Sequence, residues 1–586
     1  MNKNIIKLIN NNDYKNIQLL TQNNLNDTEL IKNIINIAIQ NNNYRIIRII
    51  CRIIIKNSNT NVILSELLFL LIKHEKYNYF KSIIEDNIFD NAFILNLLFY
   101  YKHNSTLSNN ELNHIISFEK NKIDLNTAVD EYGNTFLILF CKKGEKQLVK
   151  FLIDNGVEIN KENKKAETPL TIACGIGNET LINYLIKSGA NINKGRNSPL
   201  IIAANEGNLK IVEILVYNGA DLHKVNYKGY SPLFVACKNE HENVVKFLIE
   251  NGANVNQETP YDGTPLIIAC EQDNELIVNY LIEYNARVNV SNKSGNCPLI
   301  IACKNENKNI VQLLLTKGAN VNQENQNKNT PLIIACEKEN ESIIYQLVDN
   351  GADINIENKY GNTPLLISIR KGNIKIVQYL MDHGVDINKE NSNGNTPLIT
   401  ACAYKHESLV HLLIEHNADI NKADRDGDTP LTTSCRQRNE SLMKFLIEHG
   451  ANVNQENDNN YTPLIIVCHL GYETMVQYLI EHGADINKDD GDGGSPLIYA
   501  CKNGYKNIIR YLVSKGANVN QKETYGDTPL ILSIKKTDFD SIQYLIEYGA
   551  DPTLKNKRGD TPLDIAYNQR NEKIISFLKI NIKQDN

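Results

Sequence analysis

The run GNTPLLISIRKGNIKIVQYLMDHGVDIN, residues 361–388, carries a full set of helix punctuation. Thr363 ahead of Pro364 suits a helix start: the hydroxyl accepts from a free backbone N–H, and proline in the first turn gives up no hydrogen bond. Leu365 to Ile369 then supply a short apolar helix, which Lys371-Gly372-Asn373 interrupts with a turn. Ile376, Val377, Leu380 and Met381 follow at adjacent and i+4 positions, one apolar stripe along a second helix. Gly384 closes it, since glycine takes the left-handed conformation at a helix end without cost. The polar stretch Glu390–Asn395 suits a turn that projects away from both helices.

The same punctuation recurs, starting at Thr135 and continuing at Thr168, Ser198, Ser231, Thr264, Cys297, Thr330, Thr363, Thr396, Thr429, Thr462, Ser495, Thr528 and Thr561. The step is 33 residues throughout, except for one of 30 between Thr168 and Ser198, where the shortening falls in the projecting turn Lys194–Asn197. Twenty-one residues after every start but the last stands a glycine or an asparagine, Asn285 and Asn417 being the asparagines. With GDTPLTTSCRQRNESLMKFLIEHGANVN, residues 427–454, these segments resemble ankyrin repeats, whose pattern is a GxTPLHxAA stretch, a helix pair and a GADVN turn. The resemblance covers residues 135–586 and implies an all-α solenoid of about 14 helix-turn-helix units with hairpin-like fingers, the last unit a C-terminal cap. The family's histidine after TPL is absent: most units have Ile there, two have Thr171 and Thr432, and the last has Asp564. Residues 1–134 follow the pattern less closely. Ile37–Ile50 and Leu71–Ile84 overlay the later helix pairs at a mutual offset of 33, which reads as degenerate repeats capping the array; an independent helical domain is the competing reading.

Composition narrows the function classes. Over 586 residues, 62 Lys and Arg stand against 68 Asp and Glu, a net charge of −6, so a generally basic nucleic-acid binder is not expected. The opening MNKNIIKLINNNDYK has no continuous apolar core of a signal peptide, and the stretches Val62–Ile72 and Ala92–Tyr101 fall short of about 20 spanning residues, so no membrane insertion is expected. Cys141, Cys174, Cys237, Cys270, Cys303, Cys336, Cys402, Cys435, Cys468 and Cys501 all lie six residues after a start, where other units have Ala204, Ile369, Ile534 or Tyr567. Apolar alternatives mark a packed site, so buried thiols without disulfides are expected, in a reducing, cytoplasmic compartment.

No sequence pattern points to catalysis or to a cofactor, and an enzyme would need its catalytic domain within residues 1–134. The turn Asp489-Asp490-Gly491-Asp492-Gly493 lacks the fuller spacing of a calcium loop and reads as a solvated turn. His383, His416, His449 and His482 precede the closing Gly or Asn of four consecutive units; polar groups at a helix C-terminus account for them.

The ends of the first helices stand apart. Seven and eight residues after the starts lie Lys142, Lys143, Lys238, Lys304, Lys338, Arg370, Lys371, Arg436, Lys502, Lys535 and Lys536, opposed there by Glu206, Glu271 and Glu337. This excess suggests a basic groove for an acidic or phosphorylated protein segment, with solvated helix ends as the alternative. Between residues 403 and 472 the cations give way to Ala403, Tyr404, Tyr461, His469, Leu470 and Tyr472, of the kind that anchor interfaces. The family resemblance implies one modification: asparagines of the GADVN turn are substrates of an asparaginyl hydroxylase, and the matching positions include Asn256, Asn322, Asn355, Asn388, Asn454 and Asn487. The resemblance also implies a non-catalytic scaffold or adaptor that binds one or more proteins, with a targeting module or a mechanical spacer as alternatives.

Overall fold

The computed structural model describes residues 2–24, 27–55, 67, 70–71 and 125–584. It contains 32 helices and no strand among the described residues. The chain packs as two units, Met1–Pro260 with Asn279–Ala286, and Tyr261–Val278 with Arg287–Asn586.

The first unit begins with four helices, α1 (Asn2–Asn10), α2 (Tyr14–Asn23), α3 (Thr28–Gln40) and α4 (Tyr44–Ile55). Ile5, Ile9, Ile17, Ile31, Ile34 and Ile46 are buried between them. Asp13 and Asp27 cap α2 and α3 by accepting from the backbone N–H groups of Asn16 and Leu30 at 3.3 and 3.0 Å. Asn41 and Asn43 donate to Asn10 and Asn12 at 3.2 and 2.9 Å, a step of 31 residues. α2 ends at Asn23 and α3 begins at Thr28. The expected helix pair spanning Ile37–Ile50 is present as α3 and α4; its expected counterpart lies, after Leu71, outside the described residues.

From Thr135 onward both units are built from the helix pairs that the punctuation predicts. In the quoted repeat the helices are Pro364–Lys371 and Ile374–Asp382. Thr363 is extended (φ −84°, ψ 164°), and its hydroxyl accepts from the N–H of Leu366 at 3.3 Å. Gly384 has φ +80°, and the two replacement asparagines, Asn285 and Asn417, adopt φ +63°. Leu365, Leu366, Ile367 and Ile369 are buried from the first helix, and Ile376, Val377 and Leu380 from the second. First helices pack on their own second helices and on the first helices of adjacent repeats, so the apolar columns run through each unit. The ten column cysteines are free and buried, and burial raises the pKa of every thiol.

Where the family's histidine is replaced by a polar residue, its place in the cap is taken over. Thr171 and Thr432 accept from the N–H of Thr168 and Thr429 at 2.7 Å, and Asp564 accepts from that of Thr561 at 2.9 Å, completing capping boxes. Among the described first-helix caps, Cys297 is the one with no side-chain cap bond, although it is as buried as its counterparts. Cys297→Thr is therefore expected to stabilise helix Pro298–Asn305 by about 1 kcal/mol. Amide exchange in that helix should slow roughly fivefold; unchanged exchange would mean that the missing cap bond costs nothing.

Among the described residues, many of the fingers are held by asparagine side chains. In the finger leading to Thr168, Asn163 Oδ1 accepts from the N–H groups of Lys165 and Glu167 at 2.9 and 3.0 Å, folding the tip as an Asx turn. Asn163 Nδ2 donates to Asn134 Oδ1 of the preceding finger at 2.8 Å, and Asn325, Asn391, Asn457 and Asn556 make the same step to Asn296, Asn362, Asp428 and Asp527. A backbone bond accompanies it, as from Lys164 to Tyr132 O at 3.0 Å or from Ser392 to Tyr360 O at 3.0 Å.

Candidate binding surface

The first helices end in solvent beside the fingers, and there the predicted cations are found. In the first unit Lys238 Nζ lies 5.1 Å from the ring centre of Tyr230, which in turn stacks on Phe234 at 4.6 Å. In the second unit the cations divide into two kinds. Lys338 and Lys371 pair with Glu306 and Glu339 at 4.0 and 3.7 Å, Arg436 pairs with Asp428 at 3.1 Å, and Lys535 pairs with Asp527. Lys304, Arg370, Lys502 and Lys536 make no ion pair with any described residue. Counting two positions per repeat missed the carboxylates that neutralise the others: Glu306 and Glu339 sit one position further on, in the left-handed conformation that ends the helix, and Asp428 and Asp527 come from the fingers. Burial raises the pKa of Glu337, outweighing Arg370, Lys371 and Lys338 nearby.

The predicted aromatic stretch resolves into an exposed part and a fixed part. Tyr404 is 52% exposed and lies parallel to the ring of His406, with centres 6.2 Å apart; Leu470 is 39% exposed. Tyr461 and His469 instead pack on Tyr499, at ring distances of 5.7 and 5.0 Å. Tyr499 is 8% exposed. It donates its one hydroxyl proton to Asp490 Oδ2 at 2.7 Å, so the 2.9 Å contact with Tyr461 is a bond that the Tyr461 hydroxyl donates. Burial and the Asp490 carboxylate raise the pKa of Tyr499. Asp490 also accepts from the N–H groups of Asp492 and Gly494 at 3.0 and 2.8 Å, so the acidic turn is organised around protein donors. Among the described residues no group of three or more His, Cys, Asp and Glu side chains is placed to hold a metal ion.

Tyr499 is the residue of this surface that sequence reasoning missed. It stands where most units have Ile, Val or Leu, and the signal lay in its neighbours: Gly494 leaves room for the ring, and Tyr461 replaces the usual Asn or Asp before its repeat.

The asparagines of the GADVN-type turn hold one repeat to the next. Asn322, Asn355, Asn388, Asn454 and Asn487 accept from backbone N–H groups of the following repeat at 2.7–2.9 Å. Asn256 donates to Asn285 O at 3.2 Å, and Asn454 to Gly483 O at 3.0 Å. Three of the four histidines serve their own helix ends: Nδ1 of His383, His449 and His482 lies 2.8 Å from the carbonyl oxygen of Tyr379, Phe445 and Tyr478. Their rings rest on those aromatic rings at 4.2, 4.0 and 3.9 Å.

A sequence model described as "Ankyrin repeats (3 copies)" matches residues 103–196, 193–259, 254–325, 299–391, 332–424, 385–457, 409–490, 441–523 and 487–556. These segments overlap into one span over more than half of the chain. The chain belongs to the ankyrin-repeat family. The ankyrin match begins upstream of Thr135, among residues outside the described set, and stops before the final helix pair at Pro562–Asn568 and Glu572–Gln584. No curated protein matches the chain. Ankyrin repeats are generally protein–protein interaction modules and generally non-enzymatic. No helix among the described residues is long and apolar enough to cross a membrane.

Proposed function

We propose that the ankyrin array is a non-catalytic scaffold whose exposed first-helix ends and finger tips bind acidic or phosphorylated segments of partner proteins. The observation that supports this most is the set of cations that make no ion pair with a described residue, Lys304, Arg370, Lys502 and Lys536, on helix ends whose backbone and core needs are already met. Cations held at such positions attract an acidic chain over roughly 8 Å at physiological salt. Tyr404 and Leu470 add exposed anchors beside them, and the buried free thiols suit a reducing, cytoplasmic setting.

The test is binding of a fluorescein-labelled oligoglutamate peptide across a salt series. Affinity should fall steeply with salt, and charge reversal at Lys304, Lys338, Arg370 and Arg436 should weaken it by about tenfold or more. Binding indifferent to both would overturn the reading. Lys304 and Arg370 should carry more of the loss than Lys338 and Arg436, whose charges are paired within the protein.

A further inference from the structure

The one 30-residue repeat changes the surface beside it. Its finger, Asn191–Asn197, turns tightly at Gly195, which has φ +122° and where a Cβ would come within 2.9 Å of Thr171 Cγ2. Arg196 N–H still donates to Ala166 O of the preceding finger at 3.0 Å. The following finger keeps its full turn, with Asn226 Oδ1 accepting from the N–H groups of Lys228 and Tyr230 at 2.9 and 3.1 Å. It therefore stands without a tip on one side. The backbone N–H of Tyr227, whose counterparts Lys164, Lys359 and Arg425 donate to the preceding tip, finds no acceptor among the described residues. The side-chain step from Asn226 to Asn197 is also missing, and Asn197 Oδ1 is buried without a partner. The same side-chain step is missing at Asn329, but there the finger is of full length and Lys359 keeps its backbone bond to Asn327 O.

In place of the tip is a hollow of about 370 Å³, walled by Tyr227 and Tyr230 and floored by Ile202 and Val235. Lys228 and Lys238 line it, and Arg196 stands over the Tyr227 ring. Arg196 lies 4.1 Å from the ring centre of Tyr227, Lys228 5.7 Å from the same ring, and Lys238 5.1 Å from that of Tyr230. None of the three forms an ion pair with a described carboxylate. The one carboxylate on the wall, Glu206, already accepts from Asn205 Nδ2 at 3.1 Å.

We propose that this hollow is a docking site for an aspartate or glutamate side chain carried on an acidic segment of a partner protein. The proposal rests on the protein-binding reading above and gives it a specific subsite. The carboxylate meets Lys228, Lys238 and the open N–H of Tyr227, its methylene groups lie on Ile202 and Val235, and the tyrosine rings hold the cations in place as charge-assisted donors.

The experiment uses the full chain and fluorescein-labelled nonapeptides with a central Asp-Glu-Asp, the isosteric Asn-Gln-Asn, or three phosphoserines. The acidic peptide should bind at least about tenfold more tightly than the amide peptide, and Lys238→Glu or Lys228→Glu should each weaken it by about tenfold. Inserting three residues after Lys194, which restores the 33-residue step, should weaken binding to the same degree, and the loss in the Lys228 and Lys238 variants should persist on top of reversal at Lys304, Arg370 and Lys502. The two lysine variants change only exposed side chains, so they test the hollow even where the insertion disturbs folding. Equal binding of the amide peptide, binding of the phosphoserine peptide alone, or wild-type affinity in the two lysine variants would overturn the proposal. Loss on reversal of Lys304, Arg370 and Lys502 with no loss on reversal of Lys228 and Lys238 would leave the general reading standing and remove the hollow from it.

Discussion

Gly361→Ala is expected to destabilise its finger and the next by about 3 kcal/mol, whereas Gly384→Ala should cost only about 1–2 kcal/mol. Both glycines have positive φ, +72° and +80°, so alanine is strained at either. The difference lies in what a methyl group would meet. At Gly384 nothing lies within 4 Å. At Gly361 the methyl would overlap the backbone nitrogen of Ser392 and lie 2.9 Å from Asn391 Cα. Those atoms cannot simply retreat, because Ser392 N–H donates to Tyr360 O at 3.0 Å and Asn391 Nδ2 to Asn362 Oδ1 at 3.2 Å. Amide exchange at Ser392 separates the outcomes: it should accelerate by about a hundredfold in Gly361→Ala and much less in Gly384→Ala. Equal effects would mean that close contact between tips contributes nothing beyond backbone conformation.

This contrast marks the limit of what the sequence made legible. Thr363, Pro364 and Gly384 act within their own repeat, so their roles follow from local backbone chemistry and could be read from spacing alone. Gly361 and Asn391 act on the neighbouring repeat, some 30 residues away, and nothing local distinguishes a glycine that permits a turn from one that lets two tips touch. The asparagine richness of the chain has the same origin. One amide both accepts and donates, so an asparagine at that place in a finger can fold its own turn and bond to the preceding finger. The isoleucine richness of α1–α4 is simpler, being core.

The candidate site was legible in part for a related reason. The cations were visible because they recur at fixed positions after each start. Their partners were not, because Asp428 and Asp527 reach Arg436 and Lys535 from across the finger, and Glu306 and Glu339 reach cations of the following repeat. The shortened finger was evident from the 30-residue step; that it leaves the Tyr227 N–H without an acceptor follows only from the fold of both fingers.

Tyr499→Ala is expected to cost about 3–4 kcal/mol, the usual range for removing a buried aromatic ring, and to release Tyr461 and His469 from fixed positions. Tyr499→Phe keeps the ring and should cost only about 1 kcal/mol: Asp490 retains the N–H groups of Asp492 and Gly494 as donors, so its carboxylate is not stranded, and the Tyr461 hydroxyl can turn to water. Gly494→Ala probes the same packing from the other side, for its methyl would collide with Asp490 Oδ2 and lie 2.8 Å from Tyr499 Cε2. It should fall between the two tyrosine variants, because Gly494 has no positive φ and the side chains around it can shift at a cost of about 1–3 kcal/mol. Amide exchange at Tyr461 and Gly494, whose N–H groups donate to Asn457 and Asp490 at 3.0 and 2.8 Å, reports the loosening residue by residue. An aromatic side chain held rigid before contact loses less entropy on binding than a free one, so the order Ala, Gly494→Ala, Phe should hold for partner affinity as well as for stability. Should stability follow that order while affinity stays flat, Tyr461 and His469 would be packing residues, and the anchoring role would rest on exposed Tyr404 and Leu470.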